Sequence, residues 1–354
     1  MKTIIFLIFS ITLFVVVVSS VGIHIEHPNQ NQQDNYIQRE RILKNQFDQW
    51  VEKHAKKYHT HREYLTRYQN FKNNLKKIEQ QNAAHQGSAK FGMNKFSDLS
   101  EEEFTKFYLM PEYKPTPRKS LYKKHYPVMQ DAQSSDENIP LNLKVDWRTE
   151  GLVTPVKDQG ACGSCWAFSA TEQIETAWIK AGNDQVILSE QQIVDCDTND
   201  GGCGGGDPHT AMDYVIKAGG LTSESQYPYI ANDGTCHTNF TPVAHISGYY
   251  AATTPGNDTQ LAYSVMNEGP ISICVDASSW MTYSSGIIRS NCDSDLDHCV
   301  QIVGLNVDTN GTTPIPYYII RNSWGTDWGI DGFIYVEIGH DLCGVTQEAT
   351  IVVV

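Results

Sequence analysis

All nine cysteines of this 354-residue chain lie between Cys162 and Cys343, so the N-terminal third contains no thiol. Cysteines concentrated in this way predict a domain held by disulfides, provided that the chain enters an oxidising compartment. An odd number leaves at least one thiol unpaired, and a thiol that stays free in such a compartment is a candidate nucleophile. The length allows two or three domains, and the cysteines divide the chain into two unlike parts.

The N-terminus has the layout of a secretory signal peptide. It carries Lys2, an apolar run from Ile4 to Val18 and then two small residues ending at Ser20. The run is shorter than the roughly 20 apolar residues that a membrane-spanning helix needs. We therefore expect residues 1–20 to be removed and the mature form not to span a membrane.

Net charge divides the chain near the same place as the cysteines. Residues 21–137 carry about +4 and residues 139–354 about −19, which together with Lys2 give the total of −14. Opposite charges favour association of the two parts near neutral pH, and protonation of carboxylates in acid weakens it. The acidic part offers no basic stripe for phosphates, so we expect no nucleic-acid partner.

The segment after the signal peptide is predicted to be mainly helical, over about residues 44–106. Phe47, Trp50 and Tyr58 share one helical stripe. A second helix has a clearer face, with separations of three or four residues, made of Glu63, Arg67, Phe71, Asn74, Ile78 and Asn82. Because ions and amides interrupt this face, we expect it to dock on another part of the protein. Composition then shifts to a linker, about residues 111–138, that is exposed to proteolysis.

The residues that carry chemistry begin around Cys165. The apolar side chains after it have helical spacing: Trp166, Phe168, Ile174 and Trp178. Cys165 thus stands at a helix start, where partial positive charge and unpaired N–H groups stabilise a thiolate and lower the pKa of a cysteine. Cys162 and Cys165 also form a CxxC pair, but a thioredoxin-like site needs a preceding strand and a zinc site needs a second ligand pair. We expect no metal and no other cofactor.

The sequence CGSCW at residues 162–166 resembles the papain and cathepsin cysteine proteases. The resemblance extends through residues 188–197 (LSEQQIVDCD), 201–206 (GGCGGG), 297–298 (Asp-His) and 321–336 (RNSWGTDWGIDGFIYV). The second helix matches the Glu-Arg-Phe-Asn-Ile-Asn pattern of cathepsin-L-like propeptides. A second propeptide motif is matched by Gly92, Asn94, Phe96 and Asp98.

This resemblance implies an inhibitory propeptide over residues 21–138 and a papain-like peptidase domain over residues 139–354. The implied fold class is α+β, with a helical lobe that carries Cys165, a β-barrel-like lobe that carries His298, and the active site between them. The sequence agrees, because segments such as ISICVDA and GFIYVEI are rich in β-branched and aromatic residues.

The resemblance also assigns the catalytic roles. Cys165 is the nucleophile and His298 its base, while Asn322 orients the imidazole. Gln159 donates a hydrogen bond to the oxyanion together with the backbone N–H of Cys165. Trp324 covers the hydrogen bond between His298 and Asn322, and the resemblance also assigns it to the substrate pocket. Each residue alone has an ordinary structural explanation, and the set in this order points to a thiol protease.

The remaining cysteines follow from the same resemblance, which pairs Cys162 with Cys203, Cys196 with Cys236, and Cys292 with Cys343. Cys274 and Cys299 match positions that line the second specificity pocket. They are either bonded to each other or are two buried free thiols.

Asp207 and Glu348 match two further positions of that pocket. The position of Glu348 is also acidic in cathepsin B. A pair of carboxylates favours a basic substrate side chain. A Glu348 turned to solvent leaves instead the usual apolar preference. Both alternatives stay open at the level of sequence.

We expect an endopeptidase, because no insertion resembles the occluding segment of cathepsin B and no propeptide cysteine can tether a blocking chain. Expected partners are polypeptide substrates, the chain's own propeptide and cystatin-type inhibitors, with a monomeric enzyme in a lysosome, an acidic vacuole or outside the cell. Sequons at Asn239, Asn257 and Asn310 predict glycosylation. Two other classes of function stay open for the chain. One is a binding protein that has the fold of a protease but no activity, and the other is a stand-alone protease inhibitor fused to its target.

Overall fold

The structure, a computed structural model, describes residues 30–115 and 141–354, together with the backbone of residues 3–9, 12–19 and 22–26. The chain forms two compact units, residues 1–72 and residues 73–354. The expected linker and the expected start of the peptidase domain near Ile139 lie largely outside the described residues. These boundaries stay predictions, as does removal of residues 1–20.

The first unit contains an antiparallel sheet of three strands and the helices that follow it. The strands are β1 (Thr3–Phe9), β2 (Thr12–Ser19) and β3 (Gly22–Glu26), and the helices are α1 (Gln30–Lys53) and the first half of α2 (His61–His85). Phe47 is fully buried in this unit, with ring centroids 5.3 Å from Tyr64 and 5.2 Å from Phe71. Tyr58, expected in the first helix, lies beyond its end but still stacks on Phe47.

The second unit begins with the rest of α2, followed by strand β4 (Ala89–Phe91) and helix α3 (Glu101–Tyr108). In α2, the Asn74 side chain donates to the carbonyl oxygens of Ser97 and Leu99, both at 2.9 Å. Asn82 exchanges two hydrogen bonds of 2.9 Å with the backbone of Phe91. The amides of the predicted helical face therefore bind the segment that leads into α3.

A capping box starts helix α3. Ser100 Oγ accepts from the Glu103 N–H at 3.1 Å, and the Glu103 carboxylate accepts from the Ser100 N–H at 2.9 Å. These reciprocal bonds satisfy two backbone donors that a helix start leaves unpaired. They fix where α3 begins, directly after Ser100, and the helix ends at Tyr108.

Four further helices lie in the downstream part: α4 (Cys165–Lys180), α5 (Glu190–Cys196), α6 (Pro208–Ala218) and α7 (Asp258–Glu268). Short 3₁₀ turns occupy Gly202–Gly204 and Leu342–Gly344. The first three turns of α4 are buried all round although they include polar residues, and their two glutamates are paired: Glu175 with Lys157 and Glu172 with Arg321. No described helix has both the length and the apolar composition needed to cross a membrane.

The remaining strands form one large sheet with β4: β5 (Val145–Asp146), β6 (Gly248–Ala251), β7 (Ile271–Val275), β8 (Tyr283–Ile288), β9 (His298–Asp308), β10 (Ile315–Arg321), β11 (Phe333–Glu337) and β12 (Glu348–Val353). Their order is β4-β8-β11-β10-β9-β7-β12-β6, and β5 also pairs with β9. The pairs are antiparallel except for β8 with β11. The short strand β4 thus extends the edge of this sheet.

Two large hydrophobic cores occur in the described part of the second unit. One surrounds α4, α5 and α6 and contains Trp166, Ile174 and Met212. The other lies on the sheet and contains Trp280 and Trp328. Helix α4 packs against β9 where the cores meet, and this places the N-terminus of α4 beside the start of β9.

Candidate active site

Cys165 is the first residue of α4 and is completely buried. Among the nine cysteines, all of which lie in the described residues, it is the one that forms no disulfide. The backbone N–H groups of Trp166 and Cys299 donate to its sulfur. Because Cys299 follows His298 in β9, this contact places the thiol beside the start of β9, the strand that carries the imidazole.

His298 is held by Asn322 and by two tryptophans. Its Nε2 lies 2.8 Å from Asn322 Oδ1. The ring of Trp324 packs against the imidazole with centroids 4.8 Å apart, and Trp280 meets it edge-on. Within the described residues, His298 Nδ1 has no hydrogen-bond partner. The ring is therefore fixed through one nitrogen and leaves the other for a proton transfer.

Gln159 lies at the other side of Cys165. Its Nε2 donates to the Cys162 carbonyl oxygen at 2.9 Å and lies 3.4 Å from the Tyr108 carbonyl oxygen. Its Oε1 accepts from Ser323 Oγ at 2.7 Å. This bond fixes the orientation of the amide and therefore the direction in which Nε2 donates. The side chain can thus present an N–H group to an oxygen that enters the site.

The chain after α3 crosses this site, and we call residues 108–113 the blocking segment. The Met110 N–H donates to the Asp297 carbonyl oxygen at 2.6 Å. Met110 Sδ accepts from the Gly206 N–H at 3.4 Å, and the Tyr113 N–H returns to the Met110 carbonyl at 2.9 Å. Sequence analysis predicted an inhibitory propeptide but did not identify these contacts.

Burial outweighs the helix N-terminus in this covered state. It raises the pKa of the Cys165 thiol to about 12 and lowers the pKa of the His298 imidazole to about 4. Both shifts favour the neutral thiol and the neutral imidazole in this buried state. The thiolate expected for the active enzyme stays a prediction.

The structure contains all four disulfides considered from sequence: Cys162–Cys203, Cys196–Cys236, Cys292–Cys343 and Cys274–Cys299. Cys274 and Cys299 are direct partners in the antiparallel pair β7 and β9. Gly163 passes close to the first of these bridges, since a Cβ there would lie 2.7 Å from the Cys203 carbonyl oxygen. The bridges hold the loops on both sides of Cys165.

Four of the five predicted pocket residues come together. Cys299, Cys274 and Glu348 lie on neighbouring strands, with Glu348 opposite Cys274. Asp207 Oδ1 accepts from the His209 N–H at 2.8 Å and caps α6. Glu348 is only 2% exposed, so the alternative in which it turns to solvent is wrong. Trp324 lies against His298 instead and is not part of this group.

Sequence analysis missed His209, which contacts both carboxylates of the pocket. Its Nδ1 lies 2.6 Å from Glu348 Oε1 and 3.5 Å from Asp207 Oδ1, and its Nε2 contacts Thr350 Oγ1. Ligand atoms of the three ionisable residues lie within 4.8 Å of one another, a donor set that divalent metals accept. The 2.6 Å separation of Nδ1 and Oε1 is however shorter than two ligands on one zinc ion would keep.

Two of the three predicted glycosylation sites are exposed, at Asn239 and Asn310. Asn310 Nδ2 donates to Asp308 Oδ1 at 2.8 Å. Asn257 is half-buried, and its Oδ1 caps helix α7 by accepting from the Gln260 N–H at 2.8 Å. Attachment of a glycan at any of the three stays a prediction.

Comparison with known proteins gives matches over both parts of the chain. Residues 141–353 match the papain family cysteine protease, and residues 47–104 match the cathepsin propeptide inhibitor domain. Cysteine proteinase 1 of Dictyostelium discoideum is 38% identical over 358 residues, which cover 96% of this chain and 97% of that protein.

Solved structures of precursors are similar along most of the chain. The recombinant stem bromelain precursor has a TM-score of 0.75 and 32% identity, covering 88% of this chain and 99% of its own. Digestive procathepsin L 3 of the Tenebrio molitor larval midgut has a TM-score of 0.72 and 31% identity, with the same coverage. These likenesses confirm the predicted papain-like fold with a helical propeptide. The chain therefore belongs to the papain family of cysteine proteases and is made with a propeptide inhibitor domain.

Proposed function

We propose that the chain is the inactive precursor of a cysteine endopeptidase of the secretory pathway, with Cys165 as nucleophile and His298 as base. The observation that carries this proposal is the arrangement of one unbonded thiol at the start of α4, beside an imidazole held by Asn322 and beneath the blocking segment. The geometry supplies each group that peptide hydrolysis by a thiol needs.

Activation begins when the blocking segment leaves. The Tyr108 and Met110 backbones no longer cover Cys165, and water reaches the thiol and the imidazole. The Cys165 proton then moves to His298 Nδ1, because the helix N-terminus and the new imidazolium both stabilise the thiolate. Asn322 keeps the imidazole in place by accepting from Nε2–H.

The thiolate attacks the carbonyl carbon of the substrate and forms a C–S bond, while the carbonyl π electrons move to oxygen. Gln159 Nε2 and the Cys165 backbone N–H donate to this oxyanion. In the precursor the same Gln159 amide lies 3.4 Å from the Tyr108 carbonyl, so a peptide oxygen already occupies its neighbourhood.

His298 gives its proton to the leaving amine as the C–N bond breaks, which leaves a thioester on Cys165. Water then attacks this thioester and loses a proton to His298. Breaking the C–S bond frees the acid product and the Cys165 thiolate. With the proton that His298 took from water, the thiolate and the imidazolium are restored. No group outside the chain and water is consumed.

The proposal extends to the protein's surroundings. Four disulfides support folding in an oxidising compartment. The apolar N-terminus supports entry by a signal peptide, and exposed Asn239 and Asn310 support glycosylation there. We further propose a monomeric mature enzyme, open to cystatin-type inhibitors, in a lysosome, an acidic vacuole or the extracellular space.

Peptide hydrolysis after acid activation tests the proposed function. The precursor is expressed with its N-terminus intact, and its hydrolysis of an internally quenched peptide is followed before and after incubation in acid. We expect activity only after acid, and none at any time in Cys165→Ala or His298→Ala. An exposed-site variant, Asn310→Ala, is the matched control and should behave as the wild type. Activity in the Cys165→Ala protein would refute the assignment.

A further inference from the structure

Tyr113 of the blocking segment occupies the pocket formed by Asp207, Cys274, Cys299 and Glu348. Its hydroxyl donates to Glu348 Oε2 at 2.6 Å and lies 3.7 Å from Cys274 Sγ. Burial and the nearby carboxylates of Glu348 and Asp207 raise the pKa of the Tyr113 hydroxyl. The phenol therefore remains a hydrogen-bond donor, and the pocket holds an aromatic ring whose polar end reaches a carboxylate.

His209 determines what Glu348 can offer to this pocket. One carboxylate oxygen, Oε1, is in contact with His209 Nδ1 at 2.6 Å without the geometry of a hydrogen bond, whereas Oε2 accepts from the Tyr113 hydroxyl. His209 is in turn fixed by Thr350, by the Asp207 cap and by a stacked Tyr249 ring with centroids 5.4 Å apart. Glu348 thus presents one acceptor oxygen in a fixed position.

A single fixed acceptor suits a phenol better than a guanidinium. Arginine donates through two parallel N–H groups and binds best to both oxygens of a carboxylate, but the His209 ring lies against Oε1 and leaves no room for a second donor. Phenylalanine fits the same volume as tyrosine but leaves a buried carboxylate oxygen without a donor, which is costly. The disulfide Cys274–Cys299 supplies the apolar wall beside the ring.

We propose that this pocket selects tyrosine at the substrate residue two places before the cut, with Glu348 as the acceptor and His209 as the residue that positions it. The inference rests on the proposed function, which it deepens by naming the preferred substrate class. It replaces the expectation that two carboxylates together bind a basic side chain.

Four fluorogenic dipeptide amides test the proposal, identical except for tyrosine, phenylalanine, leucine or arginine at that position. With the activated enzyme we expect kcat/KM for tyrosine to exceed that for phenylalanine by about tenfold or more, the effect of one hydrogen bond to a charged acceptor. We expect arginine and leucine to fall below tyrosine.

Variants then separate the two roles. Glu348→Leu should bring the tyrosine-to-phenylalanine ratio of kcat/KM close to one. His209→Leu should lower the same ratio, and His209→Gln should restore part of it because an amide N–H can still hold Glu348. The surface variant Glu150→Leu is the matched control and should keep the wild-type ratio.

Each outcome is decisive. Equal turnover of tyrosine and phenylalanine by the wild type would overturn the inference and leave the protease assignment intact. Arginine above tyrosine would show that His209 does not withdraw Oε1 and would restore the basic-pocket reading. No hydrolysis of any substrate, with Cys165 unreactive to a thiol reagent, would refute the proposed function itself and the inference with it.

Discussion

Replacing Phe104 by alanine is expected to uncover the active site of the precursor. The side chain is 2% exposed, and its ring centroid lies 5.3 Å from Phe96, 5.5 Å from Tyr108 and 5.1 Å from Trp324. Truncation of a buried phenylalanine costs about 3–5 kcal/mol. Trp324, which covers His298, is one of the three ring partners of Phe104. We therefore assign about a third of the lost free energy, about 1–1.5 kcal/mol, to the packing of α3 against Trp324.

A weakening of this size raises the open fraction of the precursor by about tenfold. The assay is the rate at which iodoacetamide alkylates Cys165 in the precursor at neutral pH, read by mass spectrometry of the intact protein. Because the covered thiol is both buried and neutral, the rate reports how often the site opens.

Phe107→Ala is the matched control, because Phe107 lies on the same helix but is 37% exposed. We expect its alkylation rate to stay within about twofold of the wild type, since surface changes cost little. Thermal unfolding of both variants shows that each is folded. Equal rates for Phe104→Ala and Phe107→Ala would refute the idea that packing on Trp324 keeps the site covered.

Three further predictions concern pH, catalysis and stability. Burial lowers the pKa of His298 to about 4, so the folded precursor binds fewer protons than the unfolded chain between pH 6.5 and 4. Acid should therefore lower its free energy of unfolding by on the order of 3 kcal/mol. Denaturant unfolding in a Cys165→Ala background measures this loss, and His298→Gln should remove that part of the pH dependence. Asn322→Ala should lower kcat/KM about tenfold by freeing the imidazole, and steady-state rates within twofold of wild type would contradict its role. Replacing Cys274 and Cys299 by alanine opens a bridge with a sequence separation of 25 and should lower the free energy of unfolding by about 3 kcal/mol, whereas unchanged denaturant midpoints would argue against the bridge.

Local patterns predicted the local structure of the site well. The spacing of apolar residues after Cys165 predicted α4. Such features depend on contacts between near neighbours in sequence, which a pattern can reveal. The docking face of α2 was also visible, because amides at helical spacing rarely serve a plain core.

Contacts between distant segments were visible only through resemblance or not at all. His298 and Asn322 lie far from Cys165 in sequence, and only the family pattern connected them. His209 was missed because its contact with Glu348 joins the start of α6 to the last strand, and no local signal marks that meeting. The bond between Cys274 and Cys299 stayed open until the register of β7 and β9 placed them opposite each other.

The protonation state of Cys165 shows why local sequence does not determine every property of the site. The helix N-terminus is a local feature, and it lowers the pKa of a thiol. Burial is a tertiary feature, and it raises the same pKa to about 12. Which effect is larger depends on how completely the folded chain buries the thiol, and the sequence of α4 does not contain that information.

Active-site titration of the acid-activated enzyme tests whether Cys165 is the nucleophile. Increasing amounts of a thiol-specific alkylating reagent are added, residual peptide hydrolysis is measured, and the labelled residue is identified by peptide mapping. We expect complete loss of hydrolysis at one label per molecule, with that label on Cys165. Full hydrolysis by enzyme that is fully labelled at Cys165, or complete loss with the label on another residue, would contradict it.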